Sequence, residues 1–114
     1  MRNIRGAIAV LVLGSAALAG PGMALADPIT EGHVLVDEYC SDCHAVGRTG
    51  DSPLAIAPRF RELHQRYDIE DLSEALVEGI VTAHPEMPEF EFDPQQAAAI
   101  VAYIKSLAGP GQGE

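Results

Sequence analysis

The sequence predicts an all-α domain of short helices, and three observations predict it. Apolar residues recur at helical spacing in two runs: Leu72, Ala75, Leu76 and Ile80, then Ala97, Ile100, Val101, Ile104 and Leu107. Start and stop signals bracket these runs, most completely at Asp93-Pro94-Gln95-Gln96 and Gly109-Pro110. No strand-like alternation surrounds the two cysteines.

The first 26 residues stand apart. Arg2 and Arg5 give a positive start, and Ala7 to Ala19 is an uncharged, mostly apolar run. Gly20-Pro21-Gly22 breaks it, and Ala24-Leu25-Ala26 has the small-x-small form of a cleavage site. This is the layout of a secretory signal peptide, residues 1–26, cleaved after Ala26. The run is short of the ~20 residues that span a bilayer, so no stable membrane insertion is expected. Residues 27–114 then form the one folded domain, exported to a compartment that the signal form suggests is the periplasm.

The chain carries a net charge of −10, which becomes −12 once Arg2 and Arg5 leave with the signal. A surface this acidic does not bind nucleic acid, which needs a basic face, and it is repelled by anionic membranes. A partner that recognises it by charge is basic. An 88-residue domain without Trp and with three Phe and three Tyr builds only a modest core. Domains this small commonly need a staple.

In chain order, Thr30 can cap a first helix, with Glu31 in its first turn. Gly32 to Tyr39 then runs into Cys40, with Leu35, Val36 and Tyr39 on or beside its inner side. Gly32 costs about 1 kcal/mol inside a helix, and a closely crossing helix or a frayed start would each account for it. Ala45 to Ala57 is a loop with Gly47, Gly50 and Pro53. Phe60 opens a short helical piece to about Arg66, with Leu63 on the same side. Asp68 caps the next helix, with Glu70 and Asp71 in its first turn, and Gly79 marks its end. Pro85 and Pro88 exclude a regular helix or central strand around Met87. In the last helix Asp93 caps, Pro94 sits at the first position and Gln96 can complete a capping box.

Cys40-Ser41-Asp42-Cys43-His44 carries the chemistry. C-x-x-C-H is the attachment pattern for haem c. On a helical turn the two thiols lie on one side, spaced to form thioethers with the two haem vinyls. His44 then falls under the ring as the proximal iron ligand. A disulfide oxidoreductase would need a βαβ context, and a structural zinc site a second ligand pair. A plain disulfide would leave His44 without a part. Pro58 has a carbonyl but no N–H, so it can accept from Nδ1 of His44 and fix its tautomer.

A sixth iron ligand has few candidates. Met87 is the one methionine left after the signal, and a thioether on a proline-stiffened loop suits the position. His84, on the same loop, is its rival. His33 is too close in sequence to the proximal side, and His64 reads as a partly exposed surface residue.

These residues together resemble the small class I c-type cytochromes, the short periplasmic monohaem type of proteobacteria. The likeness covers nearly all of residues 32–107. It rests on Gly32 eight before Cys40, the Cys40–His44 motif, Pro58, Met87 with Pro88, and Tyr103. It implies a cytochrome c fold of three to five short helices around one covalent haem, with the N- and C-terminal helices crossing and Tyr103 packed over Gly32. It also implies that the Pro58 carbonyl binds the proximal histidine. Mitochondrial-like members dock through a ring of lysines. Here Lys105 is the one lysine, so their partners do not carry over.

The expected function is a soluble, monomeric, periplasmic one-electron carrier with a His/Met-ligated haem c and its iron. It is expected not to be an enzyme and to exchange electrons with periplasmic redox proteins. Two alternatives stay open: a dedicated electron-acceptor subunit of a periplasmic dehydrogenase, and a small-gas or peroxide-binding haem protein with a displaceable Met87. The four arginines Arg48, Arg59, Arg61 and Arg66 offer a partner for a haem propionate, or a set of surface ion pairs.

Overall fold

The structure, a computed structural model, describes residues 6–15, 27–79 and 86–109. Residues 6–15 form no helix or strand, and Ile8, Val10, Leu11, Val12 and Leu13 are all exposed. The Ala24–Ala26 cleavage site and His84 lie outside the described residues. No helix among the described residues is long and apolar enough to cross a membrane.

The described residues are all-helical, as expected. Helix α1 spans Pro28–Tyr39, a 3₁₀ segment covers Phe60–Gln65, α2 spans Asp71–Glu78, and α3 spans Pro94–Leu107.

Helix α1 begins earlier than the sequence reading placed it. Asp27, not Thr30, is the cap: its side chain accepts from the Thr30 N–H at 3.0 Å and from the Thr30 hydroxyl at 2.7 Å. Pro28 takes the first helical position, where its missing N–H costs nothing. The Thr30 hydroxyl and N–H stabilise the Asp27 carboxylate, so its pKa lies below the usual aspartate value. Asp68 also acts ahead of its helix. Its side chain accepts from the Glu70 N–H at 3.1 Å, and α2 itself opens at Asp71 with Glu70 as the cap residue. Gly79 ends α2 with φ +95°, a backbone conformation that glycine adopts without strain. Helix α3 starts on the complete capping box of Asp93 and Gln96 that the sequence signalled.

The core lies where α1 crosses α3. Val36, Ala97, Ile100 and Val101 are almost wholly buried there, with Leu35, Tyr103, Ile104 and Leu107 around them. Gly32 is the point of closest approach. A Cβ on it would sit 2.0 Å from the Ala99 carbonyl oxygen and 2.8 Å from the Tyr103 Cβ. Of the two accounts of Gly32, the crossing helix is the right one. The Tyr103 hydroxyl donates to the Val46 carbonyl at 2.6 Å, tying α3 to the residues just past the cysteine motif. Phe60, Leu63, Ile69, Leu76 and Phe92 extend the core beneath the 3₁₀ segment and α2.

Candidate functional site

The cysteine motif is a turn hung on the end of α1. Cys40 caps that helix, its N–H donating to the Val36 carbonyl at 2.9 Å. The Cys43 and His44 N–H groups both donate back to the Cys40 carbonyl, at 3.2 and 2.9 Å. That closes one tight turn and sets both cysteines and the histidine against the same end of α1. Both thiols are unpaired and half-buried, and Cys40 packs on the core. Burial pushes the Cys40 thiol up to about 11, so it is neutral near pH 7.

Residues 45–60 wrap back onto this turn. The Leu54 N–H donates to the Cys43 carbonyl at 3.1 Å, and the Phe60 N–H to the Ala45 carbonyl at 3.0 Å. The Ala45 N–H donates to the Ser52 hydroxyl at 3.0 Å. Together they bring the Pro58 carbonyl 2.7 Å from Nδ1 of His44. A carbonyl only accepts, so Nδ1 carries the proton and donates. Nε2 is then left with a free lone pair. The Phe60 ring lies 4.8 Å from the His44 ring, tilted by 39°, and limits its rotation. The roles of Ser52 and Phe60 were not foreseen. Phe60 was read only as the start of a short helical piece with Leu63 on the same side, and nothing local marks Ser52.

Met87 is half-buried on a turn at residues 86–87. Beyond it the chain runs through Pro88 to Phe90 and Phe92, whose rings meet Tyr39, the last residue of α1. The centroid distances to Tyr39 are 6.1 Å for Phe90 and 5.5 Å for Phe92, both edge-on. Phe90 and Phe92 stack at 5.8 Å. The Phe92 N–H donates to the Leu76 carbonyl at 2.9 Å and ties this stretch to α2. The aromatic packing was not foreseen, although the alternation Phe90-Glu91-Phe92 was a signal that both rings share one side of an extended segment.

His33 and His64 sit elsewhere. His33 stacks flat on Tyr103 at 4.7 Å beside the helix crossing. His64 is partly exposed, as the sequence suggested, although its Nδ1 is buried and has no partner among the described residues. Of the arginines, Arg59 pairs with Asp51 and with Glu62, Arg61 donates to the Gly50 carbonyl at 2.7 Å, and Arg48 to the Ser106 carbonyl at 3.1 Å.

These side chains fit a haem. Among the described residues no three His, Cys, Asp or Glu side chains converge as they would on a bare metal ion. What the motif offers instead is two thiols on one turn and one imidazole with its lone pair fixed in place. A metal that arrives inside its own planar ring of ligands needs that set, because the protein then supplies only the anchors and the axial positions.

The comparisons agree with this chemistry. The family model described as cytochrome c matches residues 29–108. Cytochrome c-552 of Bradyrhizobium diazoefficiens is 32% identical over 105 residues, covering 92% of this chain and 95% of that protein. No solved structure matches.

Proposed function

This chain belongs to the cytochrome c family, and from that premise we propose that it is a soluble periplasmic one-electron carrier whose haem is ligated by His44 and Met87. The family places it among haem-based electron carriers and gives it one covalent haem c with iron. When bound, that group takes up and releases a single electron.

The observation that carries the ligation reading is the His44–Pro58 hydrogen bond. It supports Nε2 as the iron-binding atom, because Nδ1 is already committed as a donor. Cys40 and Cys43 would anchor the ring from one turn, and His44 would bind its iron through Nε2. Met87 would supply a neutral thioether as the second protein ligand, which would favour the reduced state relative to a second imidazole. Two ligands kept on in both oxidation states leave the protein little to rearrange on electron transfer. Cys40, partly buried against the core, ties the attachment turn to the packed interior.

Export of the domain is supported by the layout of residues 1–26 and by the exposure of the apolar residues 8–13, which make no part of the core. The mature protein is then a monomer of residues 27–114.

Charge supports the kind of partner. The carboxylates of Asp37, Glu38 and Asp42 beside the cysteines, and of Glu86, Glu89 and Glu91 around Met87, are all exposed. The cations Arg48, Arg59, Arg61 and Lys105 are engaged with carbonyls or carboxylates on the 3₁₀ and α3 sides. A redox partner therefore meets this protein through a basic surface. Electron transfer to it slows as ionic strength rises, and a rate indifferent to salt would sink that reading.

The visible spectrum of the reduced, exported protein with and without carbon monoxide tests the whole proposal. A low-spin c-type spectrum that carbon monoxide leaves unchanged is the expected result. A clear shift at neutral pH would move the reading to a small-gas or peroxide-binding protein. No haem spectrum would overturn it.

A further inference from the structure

We propose that Tyr39, Phe90 and Phe92 form a positioning clamp that holds the Met87 loop closed, and so sets how readily the sixth iron position opens to an outside ligand. This rests on the reading of Met87 as that ligand.

The clamp joins the two sides of the site. Tyr39 is the last residue of α1 and the direct neighbour of Cys40, so it is rigid with the attachment turn. Phe90 and Phe92 follow Met87 by three and five residues. Pro88 lies between Met87 and Phe90 with its φ fixed by the ring, which removes one of the few torsions that could absorb a shift at Phe90 before it reaches Met87. Tyr39 meets Phe90 at 64° and Phe92 at 75°, edge-to-face arrangements that aromatic rings prefer.

The three rings have unequal structural duties. Phe92 is 7% exposed and belongs to the core, so its loss damages the fold as well as the loop. Tyr39 is 43% exposed and stands outside the buried cluster. Its ring contributes little to the core, and its packing against Phe90 and Phe92 runs directly to the loop. It is therefore the residue through which the clamp can be tested apart from folding.

The test compares wild type, Tyr39→Leu and Tyr39→Phe as haem-loaded proteins. Leu keeps apolar bulk and removes the ring, whereas Phe keeps the ring and removes the hydroxyl. Two readouts are needed: the long-wavelength sulfur-to-iron charge-transfer band of the oxidised protein, and the concentration of added imidazole that half-converts the oxidised protein. Removing both edge-to-face pairings corresponds to about a tenfold rise in the open population. Tyr39→Leu is expected to weaken the band and lower the half-converting concentration about tenfold, while Tyr39→Phe stays with wild type. A Tyr39→Leu protein that matches wild type in both readouts overturns the clamp and leaves the Met87 reading standing. A wild type without the band overturns the Met87 reading and the clamp with it. Phe90→Leu gives the same comparison from the loop side, and the same outcomes decide it.

Discussion

On the His44 side, four hydrogen bonds between residues 43–45 and residues 52–60 fix position and direction together: Leu54 to Cys43, Ala45 to Ser52, Phe60 to Ala45, and His44 to Pro58. On the Met87 side, ring packing among Tyr39, Phe90 and Phe92 and one backbone bond to Leu76 hold the loop. The two modes have different consequences. Hydrogen bonds specify a tautomer and an orientation, as an imidazole with two unlike nitrogens requires. Packing specifies proximity with less directional demand, which is enough for a thioether that presents its lone pairs on a flexible stem. On the proposed ligation, the imidazole is the side chain held to stay in place, and the Met87 thioether is the one expected to let go first.

Substitutions can break or sharpen that contrast, and the largest effect belongs to Phe60. Phe60→Ala removes a buried ring from the core and from beside His44, and about 3–4 kcal/mol of stability is expected to go with it in denaturant unfolding. An unfolding midpoint close to wild type would mean that the proximal side does not depend on that ring.

Gly32→Ala strikes neither ligand but the crossing beneath both. Its Cβ would meet the Ala99 backbone, which cannot swing aside, at an overpacking cost of about 3 kcal/mol. Better helix propensity returns about 1 kcal/mol, so a net loss of about 2 kcal/mol is expected. Both sides should weaken together, seen as a lower unfolding midpoint and a fainter sulfur-to-iron band. Loss of one side alone would break the view that the crossing is their common base.

Asp93→Ala removes the cap where the Met87 stretch enters α3. A loss of about 1 kcal/mol is expected, with greater hydrogen exchange in the first turn of α3 than around His44.

Tyr103→Phe has the smallest effect at neutral pH, about 0.5–1 kcal/mol for the missing bond to Val46. Its signature lies at alkaline pH. Burial raises the Tyr103 hydroxyl above its ordinary value of 10.0, with Arg48 opposing the shift and Asp37 adding to it. The folded state thus holds this proton more tightly than the unfolded chain. The associated stability is complete below pH 10.0 and is lost as pH rises through the folded value. Stability measured across that range should fall less steeply in Tyr103→Phe than in wild type, and parallel curves would remove Tyr103 from the alkaline response.

Much of this was legible in the chain because its signals are local. The Cys40–His44 spacing, the Asp93–Gln96 capping box and the stripe from Ala97 to Leu107 each depend on neighbours a few residues apart. Helix starts were read less well. Thr30 and Asp68 both looked like caps, yet Asp27 holds the first position, because an aspartate before a proline satisfies the orphan N–H groups better than a threonine inside the first turn. Asp68 closes a turn two residues before its helix. Ser52 carried no local mark at all, and periodicity placed Tyr39 only on or beside the inner side of its helix, since each acts on a partner brought near by the fold.

That the domain is helical, acidic and organised on a thiol–thiol–imidazole turn can be read along the chain, because periodicity, charge and a five-residue motif need no tertiary context. Pro58 as an acceptor can be read the same way, since a carbonyl without an N–H is a property of one residue. It took the closed fold to show that Gly32 exists for a crossing helix, that Ser52, Leu54 and Phe60 staple the loop that presents Pro58, and that Tyr39 reaches the rings that follow Met87. Those are distances between residues far apart in the chain, and they come into being only when the core closes and the buried polar groups have found their partners.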